Sequence, residues 1–251
     1  MICYPNPKLN VGLDILRRRE DGYHDIDTLM VPYEGMHDVL EIVPSERLGM
    51  HLYGIPVEGD AMDNLCVKAF RMLEADFGIA PVEIHLWKGI PSGAGLGGGS
   101  ADCAWTLRLL NGLFGLGLSD AVLAGYAARL GSDCAFFIYN RPMLCRGRGE
   151  VLSPSPVSIE DYRIEVEVPP VHVSTREAYS GVVPKVPEIP LEEALRLPVP
   201  RWRGLVVNRF EESVFPQHPE IAAAKQRMYA RGALYASMSG SGSSVFGIFS
   251  Q

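Results

Sequence analysis

The chain has 251 residues, 47% hydrophobic and 21% charged, the mixture of a globular protein rather than a fibre or a disordered tail. At this length roughly three quarters of the unfolded surface can be buried, so a core needs neither disulfide nor structural metal. With 23 basic and 30 acidic residues the formal net charge is −7, which repels a nucleic-acid backbone unless a local basic stripe overcomes it.

The densest basic run, Arg17-Arg18-Arg19, is followed at once by Glu20-Asp21 and reads as a solvated turn. The five cysteines (Cys3, Cys66, Cys103, Cys134, Cys145) are odd in number, widely spaced and form no C-x-x-C pair. That pattern argues against a secreted disulfide framework and against a zinc site, and a reduced cytoplasm is the expected location. The most hydrophobic stretch, residues 101–118, is interrupted by Asp102, Arg108 and Asn111, so no spanning helix is expected. Residues 1–8 lack the basic and then apolar segments of a secretion signal, and none is expected.

In chain order, residues 11–16 and 39–43 read as strands joined by a turn-rich segment centred on Asp21-Gly22. Residues 64–77 read as a helix, and Asn64 also reads as its cap. Val82, Ile84 and Leu86 then alternate with Glu83, His85 and Trp87, the period of a strand with one buried face. From about Ser100, Cys103, Leu107, Leu110 and Phe114 recur at helical spacing and predict a buried stripe. Ser119-Asp120 can cap a further helix running to Leu130, with Gly131 as its stop. Ser153-Pro154-Ser155-Pro156 reads as a linker dividing residues 1–152 from 153–251.

Beyond it, residues 162–168 read as a strand, 219–231 as a helix and 245–249 as a closing strand. Five prolines between Pro184 and Pro200 surround a short helical candidate, residues 191–197, and suggest a surface connection. Strands and helices mix without strict alternation, which predicts an α+β class with two lobes.

The chemistry concentrates in Pro91-Ser92-Gly93-Ala94-Gly95-Leu96-Gly97-Gly98-Gly99-Ser100-Ala101. Five glycines in seven positions strip one side of the backbone, so successive N–H groups can converge on an anion. The following helix adds its positive end, and together they predict a phosphate cradle. Gly93-x-Gly95-x-x-Gly98 formally matches the dinucleotide fingerprint, but the preceding strand alternates and no acidic residue sits about 20 positions on. A G-x-x-x-x-G-K-[ST] loop fails because Ser100, not lysine, follows the last glycine, and the protein-kinase glycine loop fails without an H-R-D element.

Three blocks resemble the small-molecule kinase superfamily named for galactokinase, homoserine kinase, mevalonate kinase and phosphomevalonate kinase. They are Pro5-Asn6-Pro7-Lys8-Leu9-Asn10 with Arg18-Arg19-Glu20-Asp21-Gly22-Tyr23-His24; residues 88–102 with Leu130-Gly131-Ser132-Asp133; and Ser239-Gly240-Ser241-Gly242-Ser243-Ser244-Val245-Phe246. The Asp-Gly-Tyr-His element is similar to that of the superfamily's cytidyl-alcohol kinases, which serve non-mevalonate isoprenoid synthesis. Pro7, Ala101, Ser132, Ser239 and Ser241 depart from the residues usual in that family.

The resemblance implies a two-lobed fold with its site in the cleft between lobes, and transfer of a phosphoryl group from ATP to the tertiary 2-hydroxyl of a methylerythritol moiety. Lys8 and Asp133 are implied as catalytic, lying side by side, with Asp133 as the base. Residues 91–101, with Asn64 and Lys88 lining the purine, are implied for ATP. Asn10, Tyr23, His24, Tyr179, Gly240, Ser241 and Gly242 are implied for the cytidyl substrate, with Tyr23 and Tyr179 on opposite faces of the base. Magnesium is expected on chemical grounds because it bridges and neutralises the donor phosphates, but its ligands are not legible, Asp102 being a weak candidate. His37, His51, His85, His172 and His218 show no metal-ligand spacing and receive no chemistry.

The expected partner is a small molecule rather than nucleic acid or membrane, and the chain is expected to be a monomer or homodimer. The alternatives are another kinase of the superfamily, a non-catalytic nucleotide sensor on the same fold and, more remotely, a dinucleotide oxidoreductase.

Overall fold

The computed structural model describes residues 1–251. The strands in chain order are β1 (Ile2–Cys3), β2 (Lys8–Arg18), β3 (His24–Pro32), β4 (Val39–Pro44), β5 (Gly49–Gly54), β6 (Val82–Lys88), β7 (Met143–Gly147), β8 (Val151–Pro154), β9 (Tyr162–Glu167), β10 (Tyr235–Met238) and β11 (Val245–Ser250). The helices are α1 (Leu65–Phe77), α2 (Gly98–Leu113), α3 (Asp120–Leu130), α4 (Cys134–Tyr139), α5 (Thr175–Ser180), α6 (Leu191–Leu195), α7 (Glu211–Val214) and α8 (Pro219–Ala230). The mixed α+β class follows the sequence expectation. No helix is long and apolar enough to cross a membrane.

The chain packs as two compact units, each assembled from separated segments: Met1–Pro7, Glu34–Ser92 and Gly97–Arg141 form the first, and Lys8–Tyr33, Gly93–Leu96 and Pro142–Gln251 the second. The division expected after residue 152 falls inside β8, which pairs antiparallel with β7. Residues 153–156 are therefore partly strand rather than a linker.

In the first unit, β1-β4-β6-β5 form one sheet, with β6 antiparallel to β4 and parallel to β5. The alternation read from β6 is realised: Val82, Ile84 and Leu86 are buried while Trp87 on the opposite face is exposed. Helix α2 packs on β4 and α1, burying Cys103, Leu107 and Leu110; Phe114, at its end, is only half-buried. Burial of each such leucine is worth about 1.5–3 kcal/mol and is the main force holding α2 in place.

The caps work as the sequence suggests. Asn64 Oδ1 accepts from the Cys66 N–H at 2.9 Å, and Ser119 Oγ accepts from the Val122 N–H at 3.4 Å. Gly131 ends α3 in an extended conformation rather than a left-handed one.

In the second unit, β2-β3-β7-β8 and β10-β11-β9 form two sheets, and α8 packs on β10 and β11. Leu13, Ile15, Ile26, Ile221, Ala224 and Val245 belong to its buried core. Arg17 and Arg18 close β2 rather than lying in the expected turn, because their backbone pairs with β3; Arg17 and Arg19 pair with Asp25, and Arg19 also with Asp21, so charge at this end of the hairpin is neutralised locally. The proline-rich segment is only partly a surface connection. Its second half buries Leu191, Ala194, Leu195 and Val199, because α6 turns one apolar side inward.

Candidate active site

The glycine segment is divided between the units, and each part is held by its own partners. In the second unit, Gly93–Leu96 lies against the start of β2, where the Lys8 N–H donates to the Leu96 carbonyl at 2.9 Å. Lys8 is 3% exposed, and its ammonium donates to the Gly95 carbonyl at 3.0 Å and to Asn10 Oδ1. Asn10 is oriented in turn: its Nδ2 donates to Thr28 Oγ1 at 3.0 Å and its N–H to Ser239 Oγ at 3.2 Å.

The Ser239 hydroxyl donates to the Gly95 carbonyl, and the Ser244 N–H to the Ala94 carbonyl, both at 3.0 Å. Residues 239–244 thus clamp the loop. Gly95 sits at φ +76°, and a Cβ there would stand 2.0 Å from the Ser239 carbonyl oxygen, so glycine is demanded by both backbone and space. Gly240 and Gly242 also have positive φ, and a Cβ at Gly242 would meet Met238 Sδ at 2.7 Å. Asn208 completes this clamp, its Nδ2 donating to the Met238 and Gly240 carbonyls at 2.7 and 2.8 Å. Asn208 belongs to no glycine-rich block, and nothing local in sequence marks it. Ser241 is half-buried within the same turn.

Of the residues expected around the cytosine, His24 stacks directly on Tyr179, with ring centroids 4.6 Å apart and planes at 18°. Tyr179 also meets Phe210 edge-on at 4.7 Å. Direct contact at 4.6 Å leaves no room for a third ring between His24 and Tyr179. Tyr23 is exposed, and the Arg148 guanidinium lies over its ring at 4.9 Å.

In the first unit, α2 starts at Gly98 after Gly97 in left-handed conformation, and no side chain caps it. Its first-turn amides therefore lack a side-chain cap. Asp133 stands at the start of α4 in helical conformation, and its side chain does not cap that helix. Ser100 lies near the same turn: a Cβ built on Gly131 would stand 3.9 Å from its Oγ and 2.9 Å from Cys134 Sγ.

Lys88, the last residue of β6, is buried. Its ammonium is buried between two carboxylates, pairing with Asp38 Oδ2 and with Asp102 Oδ2 at 2.7 Å. Asp38 Oδ1 accepts from the Gly89 and Ile90 N–H groups at 2.7 and 2.8 Å. Burial pushes the Asp102 carboxyl up to about 8 against the pull of Lys88, and its Oδ1 is buried without a partner. Burial alone would lower the Lys88 pKa; the charges of Asp102 and Asp38 reverse that and raise it. The side chain of Lys88 is thus committed to holding together the segment before the loop and the helix after it. Asn64, the other residue expected at the purine, uses its side-chain oxygen to cap α1.

Residues 64–141 match the GHMP kinases N terminal domain and residues 192–251 the GHMP kinases C terminal domain. The 4-diphosphocytidyl-2-C-methyl-D-erythritol kinase of Bacteroides thetaiotaomicron is 50% identical, covering 99% of this chain and 92% of that protein. That of Parabacteroides distasonis is 49% identical, with the same coverage. A crystal structure of 4-(cytidine 5'-diphospho)-2C-methyl-D-erythritol kinase superposes with a TM-score of 0.79 at 35% identity, covering 99% of this chain and 90% of that one. A mevalonate kinase at 14% identity and TM-score 0.70 shares the fold, over 99% of this chain and 91% of its own. The chain belongs to the GHMP kinases and, within them, to the 4-diphosphocytidyl-2-C-methyl-D-erythritol kinase family.

Proposed function

We propose that this chain uses ATP to phosphorylate the 2-hydroxyl of 4-diphosphocytidyl-2-C-methyl-D-erythritol, giving the 2-phosphate and ADP. The observation that carries the reading is likeness over the full chain to kinases of that name, together with an intact Lys8, glycine segment and Asp133.

Phosphoryl transfer asks a protein mainly to position two reactants and to neutralise charge that develops on the transferred group. Residues 91–101 hold the donor phosphates, through the backbone N–H groups between Ser92 and Ser100. Asp133 accepts the proton of the substrate hydroxyl as its oxygen bonds to the terminal phosphorus and the bond from that phosphorus to ADP breaks. Lys8, fixed on the Gly95 carbonyl, supplies positive charge to the phosphoryl oxygens.

Asn10, through its link to Lys8, and the turn at Gly240, Ser241 and Gly242 orient the acceptor, while Tyr23, His24 and Tyr179 bind the cytosine. For a base to enter between His24 and Tyr179 those rings must part; otherwise it stacks on an outer face of the pair. Asn64 and the backbone beside Lys88 line the purine.

Magnesium would supply positive charge that offsets the negative charge of the donor phosphates. The oxygen this chain offers it is the Ser100 hydroxyl, since Asp102 is buried and paired with Lys88. Five free cysteines without a disulfide suit a reducing cytoplasm.

The test is a coupled assay in which the purified chain, ATP, magnesium and the cytidyl alcohol yield ADP. Turnover with homoserine or mevalonate, and none with the cytidyl alcohol, would move the assignment within the GHMP kinases. Nucleotide binding without ADP formation from any alcohol would make the chain a sensor.

A further inference from the structure

We propose that His51, Glu83 and His85 form a binding site for a zinc ion on the outer face of the first unit's sheet. The site arises from strand register. Strands β5 and β6 run parallel with His51 opposite His85, and Glu83 lies two residues before His85, so all three side chains leave the same face.

Their donor atoms all lie within 4.8 Å of one another, with Glu83 Oε2 4.0 Å from His51 Nε2 and 3.7 Å from His85 Nε2. Zinc bonds of about 2.0–2.2 Å in tetrahedral geometry place neighbouring donors about 3.3 Å apart. The donors need to close by no more than about 1.5 Å, and the His51 and His85 rings, now stacked 4.6 Å apart at 12°, need to turn so that their lone pairs converge; χ rotations of partly exposed side chains do both.

Two further features prepare the cluster. The Tyr53 hydroxyl lies 3.2 Å from His85 Nδ1. With Nδ1–H donating to that oxygen, the Nε2 lone pair is left to a metal, and the hydroxyl holds the ring in that tautomer. Gly49 supplies the room: a Cβ there would stand 3.2 Å from Glu83 Cγ and 3.3 Å from His51 Nε2, crowding the two groups that must converge. Glu41, opposite His85 on β4, adds a carboxylate to the same face.

Two imidazoles and one carboxylate suit zinc, with water filling the fourth position. Magnesium, which prefers oxygen ligands, does not compete for such a donor set. The cluster shares no residue with those proposed for ATP or the cytidyl alcohol, so the inference stands apart from the proposed reaction.

The experiment is calorimetric titration of the tag-free, full-length chain with zinc chloride in excess magnesium, following histidine ring signals by NMR. One equivalent is expected to bind, with the rings of His51 and His85 shifting first among the six histidines. His51→Ala and His85→Ala should each weaken that equivalent at least about tenfold, and Tyr53→Phe about tenfold, while kinase turnover is kept. Circular dichroism establishes that each variant is folded. Identical isotherms for the native chain and the His51→Ala/His85→Ala double variant would overturn the proposal. So would a first equivalent that leaves both rings unmoved, the two imidazoles then being a surface stack with no metal.

Discussion

The carboxylate of Asp38 holds the ammonium of Lys88 inside the first unit, and its other oxygen fastens the two backbone amides that follow Lys88. Asp102, four residues into α2, takes the same ammonium from the other side. One buried cation therefore joins the end of β6, where the glycine segment begins, to the helix that follows it.

Asp38→Ala removes one partner of a buried ion pair and leaves two amides unsatisfied. It should destabilise the protein by about 3–5 kcal/mol, on the order of a 10 °C loss in Tm. Thermal unfolding measures this, and a Tm within about 2 °C of the native value would show that the pair is not a structural tie.

Asp102 gives stability a pH signature. Its folded pKa of about 8 lies above the unfolded value, so the folded state keeps a proton that the unfolded chain has already lost. Its contribution is present in full below the unfolded pKa of about 3.9 and declines, by up to about 1.4 kcal/mol per pH unit, until pH passes the folded value. Asp102→Asn should flatten this decline between pH 6 and 8. Denaturant midpoints measured across that range for both proteins decide it, and parallel curves would exclude titration of Asp102.

Two glycines of the loop should behave oppositely. Gly95→Ala forces a Cβ onto the Ser239 carbonyl at positive φ, and should lower both Tm and nucleotide affinity. Gly99 lies in the first turn of α2 with nothing within 4 Å of an added Cβ, so Gly99→Ala should leave the fold as stable or up to about 1 kcal/mol more stable. Its added methyl should still weaken ATP binding by crowding the phosphates. Calorimetry with an ATP analogue tests this, and unchanged affinity in Gly99→Ala would place the phosphates elsewhere.

Asp133→Asn should lower kcat by about 10²–10⁴ while ATP affinity stays within about threefold, because a base acts on the proton in flight rather than on bound nucleotide. Single-turnover kinetics and nucleotide titration separate the two effects. An equal loss in both would give Asp133 a role in folding or in nucleotide binding.

Tyr23→Ala should raise the KM of the cytidyl alcohol about 5- to 150-fold, the value of one base stacked on one ring, and leave the KM of ATP unchanged. Steady-state kinetics with each substrate varied in turn gives the answer. Equal KM values in variant and native enzyme would remove Tyr23 from the cytosine site.

What could be read in the chain beforehand was whatever is encoded by neighbours. Period-2 alternation marked β6, helical spacing marked α2, and the caps at Asn64 and Ser119 lie beside the helices they start. The glycine segment announced an anion cradle because backbone freedom is itself a local property. Strand β3 escaped notice because its run, His-Asp-Ile-Asp-Thr-Leu-Met-Val-Pro, mixes acidic residues among apolar ones; Asp25 is excused by its pairing with Arg17 and Arg19. Strand β8 hid behind prolines that sit at its end.

The sequence alone determined the α+β class, the glycine-rich loop and the absence of a disulfide framework, since composition, periodicity and glycine placement act within a few residues. Only the tertiary structure decided that Lys88 is buried between Asp38 and Asp102, that Asn208 braces the turn at Gly240, and that His51 meets His85. Those partners lie 50 and 14, 32, and 34 positions apart, and sheet register and helix packing, rather than neighbouring residues, set which side chains meet over such spans.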